Sequence, residues 1–236
     1  MPALRIWKDF IMRCRVLEDA VPLFAVEGGN MVKHRGVGKL AQRQVLQRSE
    51  EMNELIRREV EKLTDDWSSS VRRLDGLIYM AGVKRDGTFV PLYIGKTETV
   101  GRGGGLSANI QRLKKDTSKF ARWGDNYAYH MGDLSACVLH GHPEERRTKK
   151  YDAWAKAMFA EVPSETPVLR EPVFFWTKAW DRNDDGVWRD LGPTRLTFLE
   201  YLLIGIGSMC FEQLLNREGL ARVAVPAPER SVAALS

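Results

Sequence analysis

The chain has 236 residues, 44% hydrophobic and 28% charged, with a net charge of +5, the totals of a globular protein with one large domain or one domain plus a substantial extension. No apolar run is long enough to span a bilayer, and three scattered cysteines (Cys14, Cys137 and Cys210) argue against a disulfide framework. The start carries Asp9, Glu18 and Asp19 and lacks a clean apolar stretch, so no secretory signal is expected and the expected setting is cytoplasmic, away from membranes.

Residues 1–70 read as a helical extension. "EGGN" at 27–30 marks a turn, and from Gly38 to Asp66 the apolar residues settle into steps of three or four, through Met52, Leu55, Ile56, Val60 and Leu63. That spacing predicts an amphipathic helix, which could pack on the main domain, pair with a second copy or lie along DNA. "WSSSVRRLDG" at 67–76 is a polar joint.

The second unit runs over 71–222. "LIYMAGV" and "FVPLYIG" flank "KRDGT", and the Asp86-Gly87 pair predicts a β-hairpin. Pro91 places the second strand at an edge or gives it a ragged start. After a glycine-rich loop, Ser107 is a candidate N-cap for "ANIQRLKK". "YAYHMGDLSACVL" (127–139) reads as a further strand bent at Gly132, "RRTKKYDAWAKAMF" as a basic amphipathic helix, and 167–180 as extended chain. The stretch 194–216 is apolar almost all round, the mark of a buried helix. The Ala-, Val- and Pro-rich tail, 223–236, is expected to be loose. No internal repeat is visible.

Charge gathers around the glycine loop. From Lys84 to Arg122 lie Lys84, Arg85, Lys96, Arg102, Arg112, Lys114, Lys115, Lys119 and Arg122, opposed only by Asp86, Glu98 and Asp116. Such a strip suits a polyanionic partner. "GKT" at 95–97 looks like the end of a phosphate loop, but Val90 stands where a P-loop needs its first glycine. The dinucleotide spacing fails too, with Leu106 in the third glycine position. "HGH" at 140–142 is too small for a zinc site, and "DRNDDG" at 181–186 lacks the twelfth-position glutamate of a calcium loop.

The hairpin presents Tyr79 on its first strand and Tyr93-Ile94-Gly95 on its second. A basic helix follows, and much later an apolar helix carries Glu200 and leads to Asn216. Over residues 75–220 this order of motifs resembles the GIY-YIG nuclease family, with Leu77 standing where the family has its first glycine. The resemblance implies an α+β fold, a small mixed or antiparallel sheet flanked by helices, and a metal-dependent DNA endonuclease. It also implies roles. Tyr79, ahead of Tyr93, takes or relays the proton of the attacking water. Lys96 lies beside that tyrosine and favours its phenolate. Arg112 holds the scissile phosphate, with Arg122 as the alternative. Glu200 binds one Mg²⁺ or Mn²⁺ ion, and Asn216 braces the site. Lys84, Arg85, Arg102, Lys114, Lys115 and Lys119 would meet DNA phosphates, and double-strand cutting would call for a homodimer.

The same residues have plainer readings. Tyrosines are common in strands, and lysines and arginines are common on surfaces. Thr197 to Glu200 spells a capping box, in which Glu200 would only close a helix start. His130 is either a second proton carrier or a packed histidine. Asp116 stands where the family often has a histidine one turn after the arginine. Together with Leu77, it leaves room for a catalytically idle module that binds nucleic acid.

Overall fold

The structure is a computed structural model that describes residues 2–39, 41–111, 113 and 116–216. Helix α1 spans Pro2–Arg13 and α2 spans Val16–Asp19. Five short strands follow: β1 (Val21–Pro22), β2 (Val26–Glu27), β3 (Met31–Val32), β4 (His34–Val37) and β5 (Arg43–Leu46). Next come α3 (Glu50–Ser68), β6 (Leu74–Arg85), β7 (Thr88–Glu98) and the single turn α4 (Ala108–Gln111). A 3₁₀ segment covers Thr117–Arg122. Last are α5 (His130–Val138), α6 (Lys149–Met158), β8 (Phe174–Asp181) and α7 (Leu196–Cys210).

The protein is α+β, with seven helices among the described residues and a four-stranded antiparallel sheet in the order β1-β8-β6-β7. Asp86 and Gly87 both adopt positive φ, 47° and 68°, as a tight two-residue hairpin turn requires. β7 is the edge strand. Pro91 sits beside a bulge: Ala81 pairs with Tyr93 but Gly82 with Pro91, so Leu92 has no partner on β6. The exposed edge is covered by the chain after α7. Leu215 N–H donates to the Leu92 carbonyl at 2.8 Å, and the Asn216 amide bonds both the N–H and the C=O of Ile94, at 3.2 and 2.6 Å.

Each face of the sheet is covered. On one, α1 and α7 pack over Ile94, Met80, Trp176 and Trp180, with the Trp7 indole N–H bonded to the Phe89 carbonyl at 3.0 Å. On the other, Trp123, α5 and α6 lie over Tyr79, Tyr93 and Phe175. α3 runs beside β8, where the buried Glu59 carboxylate accepts the Ala179 N–H at 2.9 Å. That bond answers a strand-edge donor that would otherwise be buried and unpaired.

Three expectations need correction. Residues 1–70 are not purely helical: β1 to β5 lie there, β1 joins the main sheet, and the segment shares one hydrophobic core with the rest. The helix expected from Gly38 starts at Glu50, because Ser49 caps it by accepting the Met52 N–H at 2.9 Å. Residues 127–139 do not form a strand. Nearly every residue of 130–138 is buried, and an apolar run buried on all sides has no period to separate strand from helix. Asp133, in the first turn, accepts the Ala128 N–H at 2.9 Å and so ties the entering chain to the helix. The expected tail lies outside the described residues.

Candidate active site

The bulge in β7 decides which side chains meet. The turn pairs Arg85 with Thr88, and unbroken alternation from there would put Tyr79 and Tyr93 on opposite faces. The extra residue at Leu92 shifts the register by one and returns Tyr93 to the Tyr79 face. The two rings lie 6.3 Å apart at 27°. Gly95, opposite Tyr79, lets this happen: a Cβ there would stand 2.7–2.8 Å from the ring and hydroxyl of Tyr79. The ring therefore crosses the edge strand over a position with no side chain.

Tyr79 is only 3% exposed. Its hydroxyl lies 3.0 Å from Nε2 of His130, and Nδ1 of His130 lies 2.6 Å from the hydroxyl of Tyr151. A buried chain of phenol, imidazole and phenol results. Burial raises the Tyr79 pKa far above its ordinary value; Tyr93 and the Glu200 carboxylate push the same way, and the Arg122 guanidinium opposes them. Burial, then the charges of Lys150 and Arg122, hold His130 well below the ordinary imidazole range, so it is neutral. The Tyr151 phenol is likewise raised by burial. Glu200 and Arg122, distant in sequence, thus both act electrostatically on the Tyr79 hydroxyl.

Arg122 is exposed and sits on unusual backbone. Ala121 and Arg122 both have positive φ, 36° and 82°, a conformation non-glycine residues hold only when the surroundings impose it. Those surroundings are visible. Thr97 donates its hydroxyl to the Ala121 carbonyl at 3.1 Å, and the Arg48 guanidinium bonds the Trp123 carbonyl. Trp123 itself is 1% exposed and touches Tyr79, His130, Trp154 and Phe175.

Lys96 is not beside the tyrosines. It alternates with Gly95 and so points to the α7 face, where it pairs with Glu98 at 2.5 Å. The lysine that does meet a tyrosine is Lys150, at the start of α6. Its ammonium donates to the Tyr93 hydroxyl at 3.2 Å and lies 4.8 Å from the ring centre. Sequence reasoning saw a basic helix there but had no means of telling which strand it would meet.

The capping-box reading of Glu200 also fails. Arg195 holds the N-cap position of α7, so Thr197 lies inside the helix, and its hydroxyl donates to Glu98 at 3.1 Å. Asn216 bonds backbone, locking β7 at Ile94 next to Tyr93.

The expected phosphate contacts are only partly available. Lys84 donates to the Ala20 carbonyl at 3.0 Å and lies over the Phe174 ring; burial lowers its pKa. Arg85 is paired with Glu171. Both sit at the turn end of the hairpin, about 17 and 20 Å along the strand from Tyr79. Arg102 is exposed in the glycine loop, and Lys119 lies near Asp116 at 3.7 Å. Arg112, Lys114 and Lys115 lie outside the described residues.

Among the described residues no three His, Cys, Asp or Glu side chains converge. Mg²⁺ keeps most of its water and needs only one or two carboxylates; Glu200, whose charge acts on the Tyr79 hydroxyl, is the carboxylate that would supply one. Comparison with family models, curated proteins and solved structures yields no match for this chain.

Proposed function

We propose that the chain is a metal-dependent DNA endonuclease of the GIY-YIG type, hydrolysing phosphodiester bonds at the Tyr79 cluster. The observation that supports this reading is the buried Tyr79 hydroxyl, bonded to His130, with Tyr93 stacked on its ring and the charges of Glu200 and Arg122 within electrostatic reach. A sheet that only needed packing at this point would have no call for an acid, a guanidinium and an imidazole around a phenol.

The division of labour follows from the environments. A phenol this buried does not ionise on its own near neutral pH. It can still relay a proton: as water attacks phosphorus and the P–O bond to the leaving oxygen breaks, the water proton moves to the Tyr79 oxygen, the phenolic proton moves to Nε2 of His130, and the leaving oxygen takes a proton from solvent. Nε2 of His130 faces the phenol with its lone pair, and because burial and the charges of Lys150 and Arg122 disfavour the imidazolium, the proton is held there only transiently. In this direction its resting proton is on Nδ1 and is donated to Tyr151. Arg122, reaching solvent from a fixed backbone, binds the scissile phosphate. Tyr93, with the Lys150 ammonium on its hydroxyl, faces the same group. Glu200 would hold one Mg²⁺ or Mn²⁺ ion, which supplies positive charge and orientation at the phosphate when bound.

The test is cleavage of supercoiled plasmid and branched DNA in Mg²⁺. Glu200→Ala should lower the rate by about 10²–10³-fold, the usual loss when one electrostatic contact to the reacting centre is removed, and should keep DNA binding. Equal cutting by wild type and variant refutes the assignment. A wild type inert on every substrate, with tight and salt-sensitive binding, would leave an idle binding module.

A further inference from the structure

The N-terminal segment builds a cleft of about 510 Å³ beside the proposed site. Its walls are Lys33 and β4, the end of β5, the first turns of α3 and the Phe120–Asp125 stretch around Arg122. Four cations line it (Lys33, Arg35, Arg48 and Arg57) against two carboxylates, Glu50 and Asp125. Asp125, 5% exposed, is shared by two guanidiniums, those of Arg35 and Arg48. Arg48 is 7% exposed and lies 4.8 Å over the Phe120 ring. Arg57 pairs with Glu54, outside the lining. Lys33 is exposed and makes no ion pair among the described residues.

The lining thus carries two more positive than negative charges, one of them offset by Glu54 just outside it, in a half-enclosed space where low-dielectric walls concentrate the field. Its position matters as much. Asp125 is three residues after Arg122, so their Cα atoms are within about 11 Å. Successive charges on one DNA strand are spaced about 3.4 Å along the helix axis. A duplex with a phosphate at Arg122 has other phosphates close enough to reach the cleft.

We infer that this cleft is a second phosphodiester-binding site, holding the DNA backbone a few nucleotides from the scissile bond. The inference rests on the nuclease reading and assigns part of DNA binding to residues 33–57. Lys33 would make a phosphate contact, and Arg57 would make one by exchanging its exposed partner Glu54, while Arg35 and Arg48, tied to the buried Asp125, shape the wall.

The test uses the full chain in EDTA, so that nothing is cut, with a fluorescently labelled duplex and anisotropy read across a KCl series. Each phosphate contact contributes about 0.9 to the slope of log K against log salt. Lys33→Gln with Arg57→Gln should lower the slope by about 1.8 and weaken binding about 30-fold at 0.15 M salt by the same relation. If the double variant does not fold, Lys33→Gln alone carries the test with half the change in slope. Arg5→Gln with Lys8→Gln removes two charges from α1, on the other face of the sheet, and should leave the slope alone. Unchanged slope and affinity in the cleft variants, while wild type binds DNA, overturns the cleft and leaves the nuclease reading standing. A wild type that binds no DNA overturns both.

Discussion

Gly95→Ala tests the contact that shapes the site. Two effects compete. Alanine inside a strand has less backbone entropy to lose than glycine, which favours the variant by about 0.5–1 kcal/mol. Against this, the new Cβ would sit 2.7–2.8 Å from the Tyr79 ring and hydroxyl. That ring is enclosed by Tyr93, Trp123, His130 and Phe175, so it has nowhere to retreat. Overpacking of this kind costs about 1–3 kcal/mol. The clash wins, and a net loss of about 1–2 kcal/mol is expected. For a chain of this size that lowers Tm by about 2–8 °C. Calorimetry or urea unfolding measures it. The same substitution made in a Tyr79→Leu background meets no ring and no hydroxyl, so its penalty should vanish or reverse. The coupling between the two positions should therefore be about 1–3 kcal/mol, within the range for residues in contact. A Gly95→Ala protein as stable as wild type, or one equally weakened in both backgrounds, would show that Tyr79 does not lie across β7.

Two further outcomes follow from the same geometry. Lys96 lies on the α7 face with Glu98, so Lys96→Ala should cut plasmid within about twofold of wild type, whereas Lys150→Met should lose about 10- to 100-fold, the worth of a hydrogen bond from a charged group; the reverse order in the plasmid assay would return the tyrosine-activating role to Lys96. Burial holds His130 neutral in the folded state, so the unfolded chain binds more protons once pH falls below about 6.5. Stability should then decline with falling pH through that window by up to about 1.4 kcal/mol per unit from this group. His142, also lowered by burial, adds its own share, so the readout is the difference between wild type and His130→Gln in urea unfolding at pH 7.5 and 5. His130→Gln should flatten the decline, and an unchanged decline would mean that His130 is not held neutral.

The hairpin was legible because its information is local. An Asp-Gly pair between two apolar runs dictates a tight turn, and the turn formed with both residues at positive φ. The basic helix at Lys149–Met158 was legible for the same reason, since side-chain period speaks for itself over ten residues or more; the apolar helix expected over 194–216 forms, but it ends at Cys210 and is not buried all round, because Phe198, Tyr201 and Met209 face solvent. The helix at His130–Val138 was not, because a segment buried on every side carries no period. Lys150 could not be matched to Tyr93, nor the Phe120–Asp125 stretch to the cleft, since those meetings depend on how distant segments pack.

What the amino-acid order determined alone was a set of elements and a chemical vocabulary: two strands with a tyrosine each, an excess of basic residues and one acid on an apolar helix. Which of these groups act together was decided in three dimensions. Counting outward from the turn puts the two tyrosines on opposite sides of the sheet, and a single bulged residue, Leu92, puts them on the same side. A β-strand alternates with a period of two, so one extra residue reverses every side chain beyond it. That shift brings Tyr93 to Tyr79 and His130, and turns Lys96 away from them.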